Sequence, residues 1–285
     1  MSDKSFPNPE AIEIKENSDE LKILSWNLWW KFENYIERQE LIFQELKSLK
    51  PDILCLQEVW EEKDESQANM ISQLLDYNYV YGESFEVEGV KFGNAIISKF
   101  PIKNHAIHSI PTDPNSYVPG FDEKKVLIHC EIEYKDMILN VMCTHLNYKH
   151  EQGEIRENQI TFILEYISKL KTYNRLPIIL CGDFNAEPDS DEIRLIKGLR
   201  KPINEIVLRD VWAITNPDDN GFTWSNTNPY AKKTFEYDRR IDYIFIEKAK
   251  WNGLGHPKRS VIVGKNGKNG VFPSDHFGIM THLVG

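Results

Sequence analysis

The sequence predicts an α/β fold in which two β-sheets pack face to face and helices cover their outer surfaces. Two strand–helix–strand patterns predict this arrangement, one starting near residue 21 and the other ending near residue 180. Between them, short strand-like segments alternate with turns, which indicates antiparallel neighbours. A chain of 285 residues that is 41% hydrophobic can bury a substantial core.

The first half supplies one strand–helix–strand pattern and the series of short strands. Alternating apolar residues predict a strand over 21–26, and helical spacing that ends at Pro51 predicts a helix over 38–49. A buried strand follows at 52–56, and a second helix is predicted over 66–75. The series of short strands then covers 77–81, 93–98, 103–110, 125–134 and 137–144.

The second half repeats the pattern and then becomes rich in loops. Residues 154–172 have the apolar spacing of a long amphipathic helix, and the strand beginning at Pro177 follows it. A short helix is predicted to end near residue 199, followed by a loop-rich stretch. Late strands are predicted at 240–246, 261–263 and 281–284.

The chain is predicted to form one domain over residues 21–285 behind a flexible polar tail of residues 1–20. Candidate functional residues run from Asn27 to His276, so a division of the chain would divide the site. Cys55, Cys130, Cys143 and Cys181 lie in apolar segments without metal-ligand spacing, which indicates buried free thiols. The start of the chain has no long apolar segment, from which we expect a cytoplasmic protein.

The formal net charge is −10, which argues against a protein that holds nucleic acid through a broad basic surface. Phosphate substrates stay compatible with this charge, because carboxylates bind divalent cations and those cations attract phosphate.

Polar residues follow several predicted strands at the point where each strand ends. Asp183 and Asn185 follow a buried strand, and Asn27, Glu58 and His145 end other apolar segments. Ligands of α/β proteins lie at such strand ends, so these side chains are candidates for one site. If the chain stays extended, Asp183 and Asn185 share a face. The alternatives are a turn-forming Asn, a solvated Glu and an Asx turn.

Two histidines lie among acidic residues, which favours acid–base or phosphate-stabilising roles for His145 and His276. Asp242 is predicted in the middle of a strand, where a buried carboxylate needs a partner. A histidine would suit, because a carboxylate fixes its tautomer and supports its protonated form. A salt bridge to Arg239 or Arg240 is the alternative.

Seven segments together resemble the endonuclease/exonuclease/phosphatase superfamily, the metal-dependent phosphoesterases related to exonuclease III and DNase I. They occur in the family's order: LSWN (24–27), LQEV (56–59), GNAIIS (93–98), THL (144–146), GDFNAEP (182–188), RIDYIF (240–245) and SDH (274–276). The resemblance implies a four-layered α/β sandwich, with two mixed and mainly antiparallel sheets flanked by helices and one active site at the sheet edges.

The resemblance also implies a metal site. Glu58 would be the principal ligand of Mg²⁺, for which Mn²⁺ would substitute, and Asn27 and Asp275 would lie in the same metal environment. A single clear carboxylate ligand suits Mg²⁺, which retains several of its waters.

The remaining residues would act on water and phosphate. By resemblance, Asp183 would orient or deprotonate the attacking water with the help of Asn185. His276, held by Asp242, and His145 would contact the scissile phosphate and stabilise its developing charge.

These residues predict a Mg²⁺-dependent phosphodiester hydrolase, with nucleic acid or a nucleotide as the favoured substrate and no stable protein partner. A sphingomyelinase-like enzyme acting on membrane lipid is the alternative, and it would need an exposed tip formed by Trp29, Trp30, Tyr117 and Phe121. A non-catalytic binding module is disfavoured because the set of site residues is intact.

Overall fold

The protein is described by a computed structural model over residues 19–112, 124–170, 175–250 and 252–285. Its elements in chain order are β1 (Glu20–Asn27), α1 (Tyr35–Leu49), β2 (Ile53–Glu61), α2 (Gln67–Leu75), β3 (Asn78–Val87), β4 (Val90–Ser98), β5 (Ile102–Ile110), β6 (Lys125–Tyr134), β7 (Met137–His145), α3 (Gly153–Ser168), β8 (Ile179–Asp183), α4 (Asp191–Ile196), β9 (Arg209–Asp210), α5 (Val211–Thr215), α6 (Pro229–Lys232), β10 (Asp242–Ile246), β11 (Pro257–Val263) and β12 (Gly278–Val284).

Two six-stranded sheets form the centre of the fold, in the orders β11-β12-β1-β2-β4-β3 and β5-β6-β7-β8-β10-β9. Most neighbours are antiparallel, but β1 runs parallel to β2, and β7 runs parallel to β8. One apolar cluster joins the inner faces of the two sheets. Two further clusters lie outside, one beneath α1 and α2 and the other beneath α3 and α4. The predicted four-layered α/β sandwich is therefore confirmed.

The strand periodicity explains this layering, because successive side chains of a strand point to opposite faces. In β1, Ile23 faces the opposite sheet, whereas Leu24 and Trp26 pack beneath the outer helices. In β8, Cys181 faces inward and Leu180 faces α3. Both faces of these central strands are covered, so their segments are apolar almost throughout.

The series of short strands is divided between the two sheets. β4 pairs with β2 and β3 in the first sheet, whereas β5 pairs with β6 and begins the second. The chain changes sheet at Lys99–Pro101, where Ser98 Oγ accepts a hydrogen bond from Phe100 N. Proline lacks the N–H that would continue the ladder, which is consistent with the break.

The predicted loop-rich stretch contains β9, α5 and α6, which are two to five residues long. Elements this short do not establish a recognisable apolar period, so the prediction missed them. Asp242 is the first residue of β10 and not its middle, which corrects the sequence interpretation.

Glu20 already belongs to β1, so this strand begins one residue before the predicted start of the domain. Residues 1–18 of the predicted tail lie outside the described residues. The four cysteines are buried and unpaired, as expected. Across the described ranges, no helix has the length and apolarity needed to cross a membrane.

Candidate active site

The strand directions bring the predicted polar residues to one edge of the sandwich. Since β1 and β2 are parallel, Asn27 and Glu58 lie at the same end of the first sheet. β7 and β8 are also parallel, and His145 pairs with Asp183 at the same end of the second. β10 runs the other way and begins here, with Asp242 opposite Asp183. Residues far apart in sequence therefore share one edge.

Asn27 connects the two sheets at this edge. Its Nδ2 donates hydrogen bonds to Glu58 Oε1 and to Asp183 Oδ2, each at 3.0 Å. Its Oδ1 accepts a hydrogen bond from Trp29 N at 2.9 Å. Because the amide nitrogen faces both carboxylates, Asn27 fixes their separation.

Glu58 projects from a bulge that the register shift between Leu56 and Val59 creates in β2. Its φ is 53°, in the left-handed region that side chains other than glycine rarely adopt. Enclosure in the cleft raises the pKa of Glu58, and the nearby carboxylate of Asp275 raises it further. Glu58 therefore has an unfavourable backbone conformation, and its carboxylate lies close to that of Asp275. A residue kept at such a steric and electrostatic cost is typical of a functional position.

Asp275 lies in the segment before β12 and is held by polar contacts with loops. Ser274 Oγ donates to Asn27 O at 2.7 Å and also lies 3.2 Å from Asp275 Oδ1. Asn228 Nδ2 donates to the carbonyl oxygens of Ser274 and Asp275. Burial raises the pKa of Asp275, although the charges of His276 and Arg38 oppose this effect.

Asp183 lies at the centre of the site and is 1% exposed. Its Oδ2 is 3.5 Å from His145 Nε2 and 3.7 Å from His276 Nε2. Its Oδ1 accepts a hydrogen bond from Asn185 N at 2.9 Å, which makes an Asx turn. Two imidazole rings therefore face one carboxylate oxygen.

Asn185 corrects the expectation that the chain stays extended after Asp183. Its φ is 49°, so it does not share a strand face with Asp183. Its Nδ2 donates to Leu146 O at 3.2 Å, and its side chain still lines the cleft. The Asx turn, which had been the alternative interpretation, therefore places the side chain of Asn185 at the cleft in place of an extended strand.

His276 forms the predicted pair with Asp242, at 2.9 Å between Nδ1 and Oδ2. Arg239 and Arg240 contact Glu236 and Asp210 instead. Burial disfavours the charged form of His276, but the negative charges of Asp242 and Asp183 outweigh it and raise the pKa of His276 well above its ordinary value. His276 is therefore an imidazolium at neutral pH.

His145 has the opposite electrostatic character. Burial lowers the pKa of His145 to about 3, and the positive charge of Lys125 acts in the same direction. Its Nδ1 has no hydrogen-bond partner among the described residues. His145 is therefore neutral at physiological pH and offers one N–H and one lone pair.

Asp183, Asp242 and His276 offer possible ligand atoms within 4.8 Å of one another, a spacing suited to a metal ion. However, Nδ1 of His276 already donates to Asp242, so this trio is better described as an imidazolium between two carboxylates. Glu58 and Asp275 fit a divalent cation better. They are oxygen donors, as Mg²⁺ prefers, and a cation held by them would offset the burial and the nearby carboxylate charges that raise their pKa values.

Several supporting residues were not predicted from the sequence. Thr223 Oγ1 accepts hydrogen bonds from Ile241 N and Asp242 N, and so fixes the start of β10. Arg38 is 1% exposed and donates to five carbonyl oxygens, including those of Leu28 and Pro273. Neither residue stands in a local motif, so only their long-range contacts reveal them.

The site opens into a cleft of about 580 Å³. Aromatic residues form much of its wall, including Trp29, Phe92 and Trp224, whose ring centroid is 5.0 Å from that of His276. Trp29 packs on Tyr230, and Trp30 Nε1 donates to Lys91 O. Both indoles are half-buried, so they do not form the exposed tip predicted for a lipid substrate. Tyr117 and Phe121 lie outside the described residues.

Comparisons with known proteins agree with this fold. The chain is 26% identical to an inositol phosphosphingolipids phospholipase C of Schizosaccharomyces pombe, over 94% of this chain and 69% of that protein. It is 30% identical to a sphingomyelin phosphodiesterase 5 of Danio rerio, over 68% of this chain but 40% of that protein. Among solved structures, Danio rerio TDP2 complexed with a single-stranded DNA product has a TM-score of 0.74 and 22% identity, covering 93% of this chain and 99% of that one.

The family signature described as Endonuclease/Exonuclease/phosphatase matches residues 24–276, which is most of the chain. This match confirms both the resemblance and the predicted enzyme class, a hydrolase of phosphoesters. The chain therefore belongs to the endonuclease/exonuclease/phosphatase family.

Proposed function

We propose that this enzyme hydrolyses a phosphodiester bond by attack of a water molecule, with Mg²⁺ as its metal and Mn²⁺ as a substitute. One observation carries the proposal: Asp183 Oδ2 faces the Nε2 atoms of His145 and His276, beside the carboxylates of Glu58 and Asp275. This set unites a proton acceptor, an imidazolium and hard oxygen ligands in one cleft.

Glu58 and Asp275 would hold the ion, and Asn27 would serve this environment by orienting Glu58 through Nδ2. When bound, Mg²⁺ supplies positive charge to the phosphoryl oxygens and makes a nearby water more acidic. The carboxylates of this acidic site repel a phosphate anion, so positive charge is needed before the substrate can bind.

Asp183 is proposed to orient the attacking water and to take its proton through Oδ2. The hydrogen bonds from Asn27 Nδ2 and Asn185 N fix both carboxylate oxygens, so the group is already oriented. Asn185 contributes through its backbone and directs its side chain into the same cleft. Such preorganisation lowers the cost of reaching the reactive geometry.

His276 is proposed to stabilise the negative charge that develops on the phosphoryl group. Asp242 holds the ring through Nδ1, which leaves the N–H of Nε2 directed toward the centre of the site. His145 is neutral, so it contributes a hydrogen bond without charge. Preorganised donors of this kind make a large contribution to catalysis in many enzymes.

Two substrate classes are candidates. Nucleic acid or a nucleotide is favoured by the sequence, and the fold likeness to a TDP2 crystallised with a DNA product is consistent with it. A phospholipid is supported by the names of the yeast and zebrafish relatives, one of which aligns with nearly the whole chain. The chain spans less than half of the zebrafish relative, so that protein's complete activity is not transferred.

The test is hydrolysis of bis-p-nitrophenyl phosphate, single-stranded oligonucleotides and sphingomyelin, each with Mg²⁺, with Mn²⁺ and with EDTA. We expect cleavage of the synthetic diester that EDTA abolishes and Mg²⁺ restores. No cleavage of any of these substrates with either ion would refute the proposal.

Substitutions test the assignment of residues. Glu58→Gln and His276→Ala should each lower kcat/KM by about 10²–10³, as expected for the loss of a group that stabilises the transition state. The controls are Glu61→Gln, which changes a carboxylate of the same strand that pairs with Lys91, and His105→Ala on β5. Equal activity of the site variants and their controls would contradict the assignment.

A further inference from the structure

The mouth of the cleft carries aromatic side chains that the proposed chemistry does not use. Four of them form what we call the aromatic rim: Phe235 (96% exposed), Tyr148 (59%), Tyr237 (58%) and Phe32 (44%). Exposed apolar residues are ordinary when scattered singly, but a group of aromatics around one opening marks an interaction surface.

Contacts place these four residues on one surface. Phe32 and Tyr148 line the cleft, and so does Glu236, the residue between Phe235 and Tyr237. Lys233 Nζ lies 3.1 Å from both carboxylate oxygens of Glu33, which joins the loop of Phe235 to the loop of Phe32. Two residues of the rim therefore line the entrance of the cleft, and the other two are the neighbours of Glu236, which also lines it.

The side chain of Phe235 does not stabilise the fold. Its φ is 63°, in the left-handed region that a bulky side chain adopts only at a cost. Its ring is 96% exposed, so packing in the protein does not offset that cost. An apolar environment outside the chain would explain why a phenylalanine occupies this position.

The charges of the rim are largely neutralised by one another. Lys31 pairs with Glu62, and Lys233 pairs with Glu33. Arg239 pairs with Glu236, whereas Lys149 lines the cleft beside Glu151 without an ion pair among the described residues. Nucleic acid binding depends on cations that are available to phosphates, and this chain carries a net charge of −10. Exposed aromatic rings on a surface without excess charge are instead suited to the interface of a neutral membrane.

We propose that the aromatic rim docks on the surface of a bilayer of zwitterionic phospholipids and presents a headgroup phosphodiester to the cleft. This proposal rests on the phosphodiesterase function and names the substrate class for the same site. Phe235 enters the interfacial region, and the hydroxyl of Tyr237, which donates to Glu187, stays at the polar level. When the rim docks on the membrane, lipid displaces the water around the rim side chains.

The experiment measures sedimentation of the full chain with sucrose-loaded vesicles of phosphatidylcholine and sphingomyelin in the presence of Mg²⁺. We expect Phe235→Ser to lower the partition coefficient on the order of tenfold, because an apolar ring no longer leaves water. Phe235→Trp should raise it, since tryptophan favours the interface. Leu199→Ser is the matched control, because Leu199 is 59% exposed but does not line the cleft.

Two further measurements test which ligand the aromatic rim binds, an anionic lipid surface in the first and a nucleic acid in the second. Partition should fall when phosphatidylserine replaces phosphatidylcholine, because the negative net charge of the chain opposes an anionic surface. An oligothymidylate should bind wild type and Phe235→Ser equally. A loss of oligothymidylate binding in Phe235→Ser, with vesicle binding unchanged, would mean that the rim stacks nucleobases and would overturn the proposal.

The proposal also fails if the wild type stays in the supernatant, if Phe235→Ser partitions like Leu199→Ser, or if the wild type sediments equally without vesicles through self-association. Thermal melting verifies that each variant is folded. Cleavage of bis-p-nitrophenyl phosphate without vesicle binding would overturn the docking alone. Vesicle binding without cleavage of any diester would overturn the proposed function and leave the docking intact.

Discussion

The pair of His276 and Asp242 allows the sharpest test of the site, through Asp242→Asn. The substitution keeps the size of the side chain but removes the buried charge 2.9 Å from His276 Nδ1. Burial still opposes the charged form of His276, and only Asp183 and Asp275 are left to support it, so the pKa of His276 falls relative to the wild type and the ring is neutral at pH 7 in a larger fraction of molecules. An asparagine can also donate to Nδ1, which stabilises the wrong tautomer.

The magnitude follows from the loss of one charged donor in an enclosed site. Such a loss costs about 2.7–4 kcal/mol of transition-state stabilisation, or about 10²–10³ in rate. We expect kcat/KM for bis-p-nitrophenyl phosphate to fall by this factor at pH 7. The deficit relative to wild type should become smaller toward pH 5.5, because acid restores the proton on His276.

The control is Asp52→Asn, which changes a largely buried aspartate that contacts Lys99 and accepts a hydrogen bond from Lys22 N. It should alter stability but not kcat/KM. If Asp242→Asn stayed within roughly threefold of the wild type across pH 5.5–8, the assigned role of His276 would be wrong.

Thermal stability gives an independent check on the same pair. The pKa of His276 is raised in the folded protein, so its stabilising effect is complete below the unfolded value of about 6.5 and is lost as pH rises through the folded value. Asp242→Asn should therefore lower Tm more at pH 6 than at alkaline pH.

Three other predictions concern the metal, His145 and the strand register. Mg²⁺ binding near pH 6 should release protons, because the pKa values of Glu58 and Asp275 are raised; calorimetry in buffers of different ionisation enthalpy would detect this. His145→Gln should lower kcat without changing the shape of the pH profile between pH 5 and 8, because the pKa of His145 is about 3; a lost ionisation in that range would contradict it. Gly182→Ala should destabilise the fold by about 1–3 kcal/mol, measured by denaturant unfolding, because a Cβ would lie 2.2 Å from Thr144 O.

Much of the fold and of the candidate site could be predicted because both depend on patterns that are local in sequence. Apolar alternation identified the central strands, and polar residues at their ends identified Asn27, Glu58, His145 and Asp183. Parallel pairing then brings such ends together without any further information. The spread of these residues along the chain also favours one site and one domain, and both stay predictions.

The rest depends on contacts that no local pattern encodes. Arg38 donates to Pro273 O across 235 positions of sequence, and Thr223 fixes β10 through a hydroxyl in a loop. Asn185 was misjudged because the chain leaves the extended conformation at once after Asp183. The exposed Phe235 was also missed, since a single apolar residue in a loop cannot be distinguished by sequence from one that is buried.

The charges at the centre of the candidate site and those around its entrance together indicate which kind of phosphate substrate suits it. The carboxylates at the centre outnumber the one imidazolium, so a phosphate anion depends on a cation for its binding. Outside the centre, Lys233 and Arg239 are paired with glutamates and Lys149 lies next to Glu151, so these cations offer little net attraction to a second phosphate. A polyanion gains from many phosphate contacts, whereas a lipid headgroup presents one phosphodiester. The distribution of charge is therefore suited to recognition of a single phosphate, with aromatic contacts supplying the remaining affinity.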